Sequence, residues 1–225
     1  MFKPKQQTMI IPQSEHLRLA GELAFLWGNA QFELPPLPQL SVITGIALHD
    51  RAYGYLDNLP IGEMAEERWL AVTRKGFFMP CSDPVADLIT RIHLLRLVSG
   101  QHAPARDELA GEMRLIIQQQ MAQHALDAAL FQQVDRMTAF CDAVAFDFCW
   151  GEPASQQLEV VAHYTGAQSS MTMVRYQVSG SEIQLDPWPL KVRGYTGYLV
   201  GYQLEGYPEQ ADALLVPYTL RPFAC

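Results

Sequence analysis

The hydrophobic period of this chain changes once, at Gly151-Glu152-Pro153. Before that point apolar residues recur at intervals of three and four, the repeat of helices that bury one face. After it the chain is rich in Val, Tyr, Thr and Gly, arranged in short runs with the character of strands. The expected fold is therefore mostly α. Residues 1–150 form a helical bundle, and residues 151–225 add a small C-terminal antiparallel β-sheet appendage, α+β overall.

Helices are predicted over 13–28, 38–50, about 62–75, 84–99, about 105–123 and 125–149. Ser14 is the expected N-cap of the first, with Gly28-Asn29 as its stop. Pro38 opens the second, Ser82-Asp83-Pro84 starts the fourth, and Gly100 ends it. Strand signals cover 158–164, 170–178, 182–186, 195–204 and 213–220. Gly180-Ser181 reads as a hairpin turn. Asp186-Pro187-Trp188-Pro189 reads as a rigid turn, because its two prolines exclude both helix and central strand.

Composition narrows the class of function. With 225 residues, 49% hydrophobic and 18% charged, the chain can bury a full core and is not a disordered segment. The net charge is −8, and Lys and Arg are scattered. Binding along a phosphate backbone relies on clustered cations, so nucleic acid is not expected as the main partner. A small anion can still bind an acidic protein where a metal inverts the local field. None of the four cysteines forms a C-x-x-C pair, and free thiols are expected. No run approaches the ~20 apolar residues of a membrane span, and Met1–Pro12 lacks the apolar core of a signal peptide. A cytoplasmic location without membrane association is the expectation. A homodimer is neither required nor excluded.

Five metal-capable side chains stand out in the helical part: His16, the adjacent pair His49-Asp50, His93 and Asp142. His16 lies on the apolar stripe of its helix with Leu19, Ala20, Leu23 and Ala24. His49 follows Val42 and Ile46 on one face, and His93 sits among Leu88, Ile89 and Ile92. Polar groups on apolar faces need partners, and these can partner one another. Imidazole and carboxylate are ligands for Zn, Mn, Fe and similar ions, and helical bundles build metal sites from side chains on facing helices. Asp142 shares a stripe with Asp135, Thr138 and Ala145 and is favoured over Asp147, which lies on a different face.

Arg51 follows the His-Asp pair directly, and Arg96 is one turn from His93. Either could stabilise charge on a phosphate. Surface ion pairs are the plainer role for both. Tyr53 and Tyr55 are candidates for lining a pocket, whereas Trp27, Trp150 and Trp188 read as packing. His102, His124 and His163 read as surface or structural residues. Cys141 and Cys149 lie inside a helix and read as inert. The chain contains no Gly-rich phosphate loop and no G-x-S-x-G elbow.

The order His16, His49-Asp50, Asp142 resembles the HD-domain superfamily of metal-dependent phosphohydrolases, and His93 matches the extra histidine of its two-metal members. The segments around these residues, with Gln119, Gln123 and LDPWPL, are also similar to an uncharacterised bacterial family of this type. Two-metal members usually carry a further histidine before the final aspartate. His102 and His124 lie in that interval, but neither sits in a matching motif. The resemblance implies an HD-domain-like bundle holding one or two divalent ions (Mn, Fe, Zn, Ni or Mg) on His16, His49, Asp50, His93 and Asp142. Asp50, Arg51 and Arg96 would serve the chemistry, and the substrate would be a small phosphate ester or nucleotide. Two other functions fit the same residues: a di-iron centre that activates oxygen, or a non-catalytic binding module with a degenerate site.

Overall fold

The computed structural model describes residues 1–4, 8–52, 59–79, 81–164 and 169–223. The chain opens with β1 (Met9–Ile10) and runs into α1 (Gln13–Leu26), α2 (Gln39–Ala47), α3 (Glu66–Phe77), α4 (Pro84–Ser99), α5 (Pro104–Gln123) and α6 (Ala128–Trp150). β2 (Ala154–His163), β3 (Ser170–Ser179), β4 (Glu182–Asp186), β5 (Tyr195–Gln203) and β6 (Ala213–Pro222) follow. No helix among the described residues is long and apolar enough to cross a membrane.

Several boundaries follow from local chemistry. Asp83 caps α4, its carboxylate accepting from the backbone N–H groups of Val85 and Ala86, with Pro84 in the first turn. Gly151, at φ 74°, closes α6 in the left-handed conformation that costs glycine least. Gly180, at φ 58°, turns β3 into β4 as the hairpin reading requires. Ser14 is not a cap: α1 starts at Gln13, after Pro12.

The sheet corrects the expected fold class. Six strands form one curled, mixed sheet in the order β1-β5-β6-β4-β3-β2. Strand accounts for 24% of the chain and helix for 46%, so the sheet is a principal layer and not a small appendage on a mainly helical bundle. It is not purely antiparallel, because β4 runs parallel to β6, with Glu182 opposite Thr219. Nor is it purely C-terminal. β1 pairs with β5, Met9 opposite Gln203. A two-residue strand carries no period, which is why the N-terminal contribution is invisible in the sequence.

Helix and sheet share one hydrophobic core. α6 packs on β2 and β3, and α1 on α2, α6 and β5. Val174, Tyr176 and Val178 of β3 and Tyr218 and Leu220 of β6 are buried with Phe140, Val144 and Phe148 of α6. Polar ties pin the layers. The Tyr176 hydroxyl donates to Asp147 Oδ2 at 2.6 Å, and Gln156 Nε2 donates to the same oxygen at 2.8 Å. The backbone N–H of Val200 donates to Glu15 Oε2 at 2.7 Å. The 186–189 turn lies against the end of α1, where Lys191 N–H donates to the Leu26 carbonyl at 2.8 Å.

Candidate metal centre

Three segments of the bundle converge on one buried spot. α1 brings His16, which is fully buried and packs edge-on to Phe146 and against Phe2. α6 brings Asp142. The third segment is the turn that ends α2. The helix stops at Ala47, three residues short of the predicted end, and the backbone tightens through i→i+3 bonds from Leu48 to Gly45 and from His49 to Ile46. The tightened turn directs both His49 and Asp50 inward, leaving them 0% and 8% exposed.

The donor atoms lie close together. One ligand-capable atom from each of His16, His49, Asp50 and Asp142 falls within 4.8 Å of all the others. His16 Nε2 and His49 Nε2 are 2.9 Å apart. Asp142 Oδ1 lies 3.4 Å from the first and 3.3 Å from the second, and Asp50 Oδ2 lies 3.9 Å from both. A carbonyl only accepts, so the 2.7 Å contact from His49 Nδ1 to the Ile46 oxygen puts a hydrogen on Nδ1. In the neutral ring, Nε2 is then a bare donor facing the centre, the arrangement that orients metal-binding imidazoles. Gln13, one turn before His16, donates to Asp50 Oδ2 at 2.8 Å and aims that carboxylate.

The electrostatics call for positive charge at this point. Burial pushes the Asp142 carboxyl up, but the His16 and His49 imidazoles, 3.4 and 3.3 Å from Oδ1, outweigh it and hold the group well below the usual carboxylate range. At Asp50, burial is outweighed by the charge of His49 and the hydrogen bond from His93, with the same sign. Burial lowers His49, yet Asp50 and Asp142 together raise it above the ordinary imidazole value. Two carboxylates and two converging imidazoles thus demand a proton or a cation between them, and the donor set suits the divalent ions of the middle transition series.

Of the other predicted residues, His93 is fully buried beside the cluster, its ring 4.5 Å from that of His49. Its Nε2 is 3.0 Å from Asp50 Oδ1, outside the four-residue donor group. Arg96 stands at the rim, 35% exposed, with Nη2 3.9 Å from Asp142 Oδ2. Its Nε donates to Asp135 at 3.1 Å. Arg51 turns away. Its guanidinium pairs with Asp87 at 2.8 Å and donates to the Gly76 carbonyl at 2.9 Å. Asp147, the rival aspartate, is held by the sheet. Tyr53, Tyr55 and Cys225 lie outside the described residues. Burial pushes the Cys141 and Cys149 thiols far above their ordinary range, which leaves them poor nucleophiles.

Sequence reasoning missed Gln13, Asp135 as the partner of Arg96, and Phe146. Two of them carried a signal. Gln13 precedes His16 by three residues on a face that is otherwise apolar, and Phe146 follows Asp142 by four on α6.

Over residues 2–68 the chain is similar to a family described as a protein of unknown function, DUF3891. That stretch takes in Gln13, His16 and His49-Asp50 and stops short of His93 and Asp142. Comparison with curated proteins and with solved structures gave no match.

Proposed function

We propose that the protein is a metal-dependent phosphohydrolase of the HD-domain type, acting on a small phosphate ester. The observation that carries this reading is the convergence of His16, His49, Asp50 and Asp142, whose donor atoms lie within 4.8 Å of one another in a largely buried cluster. These residues would hold the ion. A divalent ion bound there supplies Lewis acidity toward a phosphoryl oxygen and lowers the pKa of a water molecule.

The chain's own groups divide the remaining work. Gln13 holds Asp50 in the orientation that faces the two imidazoles. Arg96 is the cation at the rim. Asp135 and His93 take its Nε and Nη2, and Nη1 makes no hydrogen bond among the described residues. That free end of the fork suits a phosphate oxygen. Arg51 is spent on Asp87 and takes no part in phosphate binding in this reading.

Elemental analysis of protein purified without chelator or affinity-tag metal tests the reading. Wild type retains a divalent metal in stoichiometric amount, and phosphatase or phosphodiesterase activity appears with that metal. His49→Ala and Asp50→Ala each lose most of the metal. His163→Ala, which removes only a half-exposed partner of Glu33, keeps it. Equal metal content in all three variants defeats the site assignment.

A further inference from the structure

His93 and His49 are neighbouring buried imidazoles, yet their hydrogen bonds point to opposite roles. His49 gives its Nδ1 hydrogen to a carbonyl and turns Nε2, where the neutral ring carries its lone pair, toward the donor cluster. His93 is bound at both nitrogens. Arg96 Nη2 lies 2.8 Å from Nδ1. A guanidinium can only donate, so Nδ1 is the acceptor and the ring hydrogen sits on Nε2. That hydrogen points at Asp50 Oδ1, 3.0 Å away. The other oxygen of the same carboxylate accepts from Gln13 Nε2 and is the one that faces His16 and His49.

We infer that His93 is a positioning residue and not a ligand: Arg96 fixes its tautomer, His93 fixes Asp50 Oδ1, and the centre binds a single ion on His16, His49, Asp50 and Asp142. The inference rests on the metal-centre reading above and narrows it. A second ion ligated by His93 would need a lone pair on an imidazole that has none to spare. It would also have to displace the Arg96 contact or the Asp50 contact. Asp135 extends the chain outward, anchoring Arg96 through Nε at 3.1 Å. The series Asp135, Arg96, His93, Asp50 therefore links the half-exposed rim of the site to its buried carboxylate through three hydrogen bonds.

The test is Mn²⁺ binding to metal-stripped full-length protein, read as stoichiometry and affinity by calorimetry and elemental analysis. Wild type takes up one equivalent. His93→Ala also takes up one equivalent, about 10–100-fold more weakly, the usual loss when an outer-shell partner of a metal ligand is removed. His93→Gln recovers most of that loss. Its amide offers one donor to Asp50 and one acceptor to Arg96 but no imidazole nitrogen for an ion. Circular dichroism confirms that each variant is folded, and His93→Gln carries the test if His93→Ala is not. Two equivalents in wild type, with one lost in either variant, overturn the inference and make His93 a ligand. So does a folded His93→Gln that binds no ion or binds as weakly as His93→Ala. Unchanged affinity in His93→Ala removes the positioning role. No uptake by wild type defeats the metal-centre reading itself, an outcome distinct from all of these.

Discussion

Two arginines beside the predicted site have different fates, and the difference lies in the backbone that carries them. Arg96 is three residues from His93 on a regular helix, where that offset fixes two side chains on one face. Its place at the rim was therefore legible. Arg51 is next to Asp50 in a turn, where adjacency in sequence says nothing about direction. It points to Asp87, which also lies 2.9 Å from Arg91 Nε and accepts from Gln120 Nε2 at 3.0 Å. The Arg51 and Asp87 side chains are only 7% and 5% exposed. Removing one partner of such a pair strands a buried charge, at a cost of about 3–5 kcal/mol. Asp87→Ala should lose stability on that scale in urea unfolding. A loss below about 1 kcal/mol, the range of surface pairs, would mean that Arg51 is free to swing toward solvent or the site.

At the level of elements, the site depends on how closely α2 approaches its neighbours. A Cβ on Gly45 would sit 2.7 Å from Ile89 Cβ on α4 and 3.0 Å from the Ala86 carbonyl oxygen. On the other side, a Cβ on Gly21 of α1 would meet Ala47 Cβ at 2.8 Å. These two glycines let α2 wedge between α1 and α4, and so bring the turn at His49-Asp50 within reach of His16 and His93. Gly45→Ala should force α2 away from α4, costing about 1–3 kcal/mol as overpacking does, and should weaken metal binding together with stability. A surface substitution of equal stability cost should leave metal affinity alone. If Gly45→Ala destabilises without touching affinity, the α2–α4 distance does not set the site geometry. The six helices were legible from their 3.6-residue period, to within a few residues at their ends. The early end of α2 was not, because His49 and Asp50 continue the helical spacing and only their buried partners decide that the chain turns there.

At the scale of the molecule, the switch of period at Gly151 showed where the five C-terminal strands begin but not how much of the protein the sheet would organise. Strand length and pairing partners are tertiary facts. The parallel β4–β6 pair and the recruitment of Met9-Ile10 arise from long-range contacts that no local pattern encodes. Those contacts bear on the split at residue 150. α6 supplies Asp142 to the metal centre on one side and Asp147 to Tyr176 and Gln156 of the sheet on the other. The buried core runs without a break from Leu19 and Leu23 of α1 through Phe140 to Tyr176 and Tyr218. Helices and sheet should therefore unfold together. A ligand at about 100 times its Kd stabilises the native state by about 2.7 kcal/mol. For a chain of this size each kcal/mol raises the melting temperature by about 2–4 °C. Saturating Mn²⁺ should then lift one cooperative transition by about 5–10 °C, and near-UV circular dichroism of the sheet tyrosines should move with the far-UV helix signal. Two separate transitions, with only the helical one shifted by metal, would show that the sheet is energetically independent and that α6 does not couple the layers.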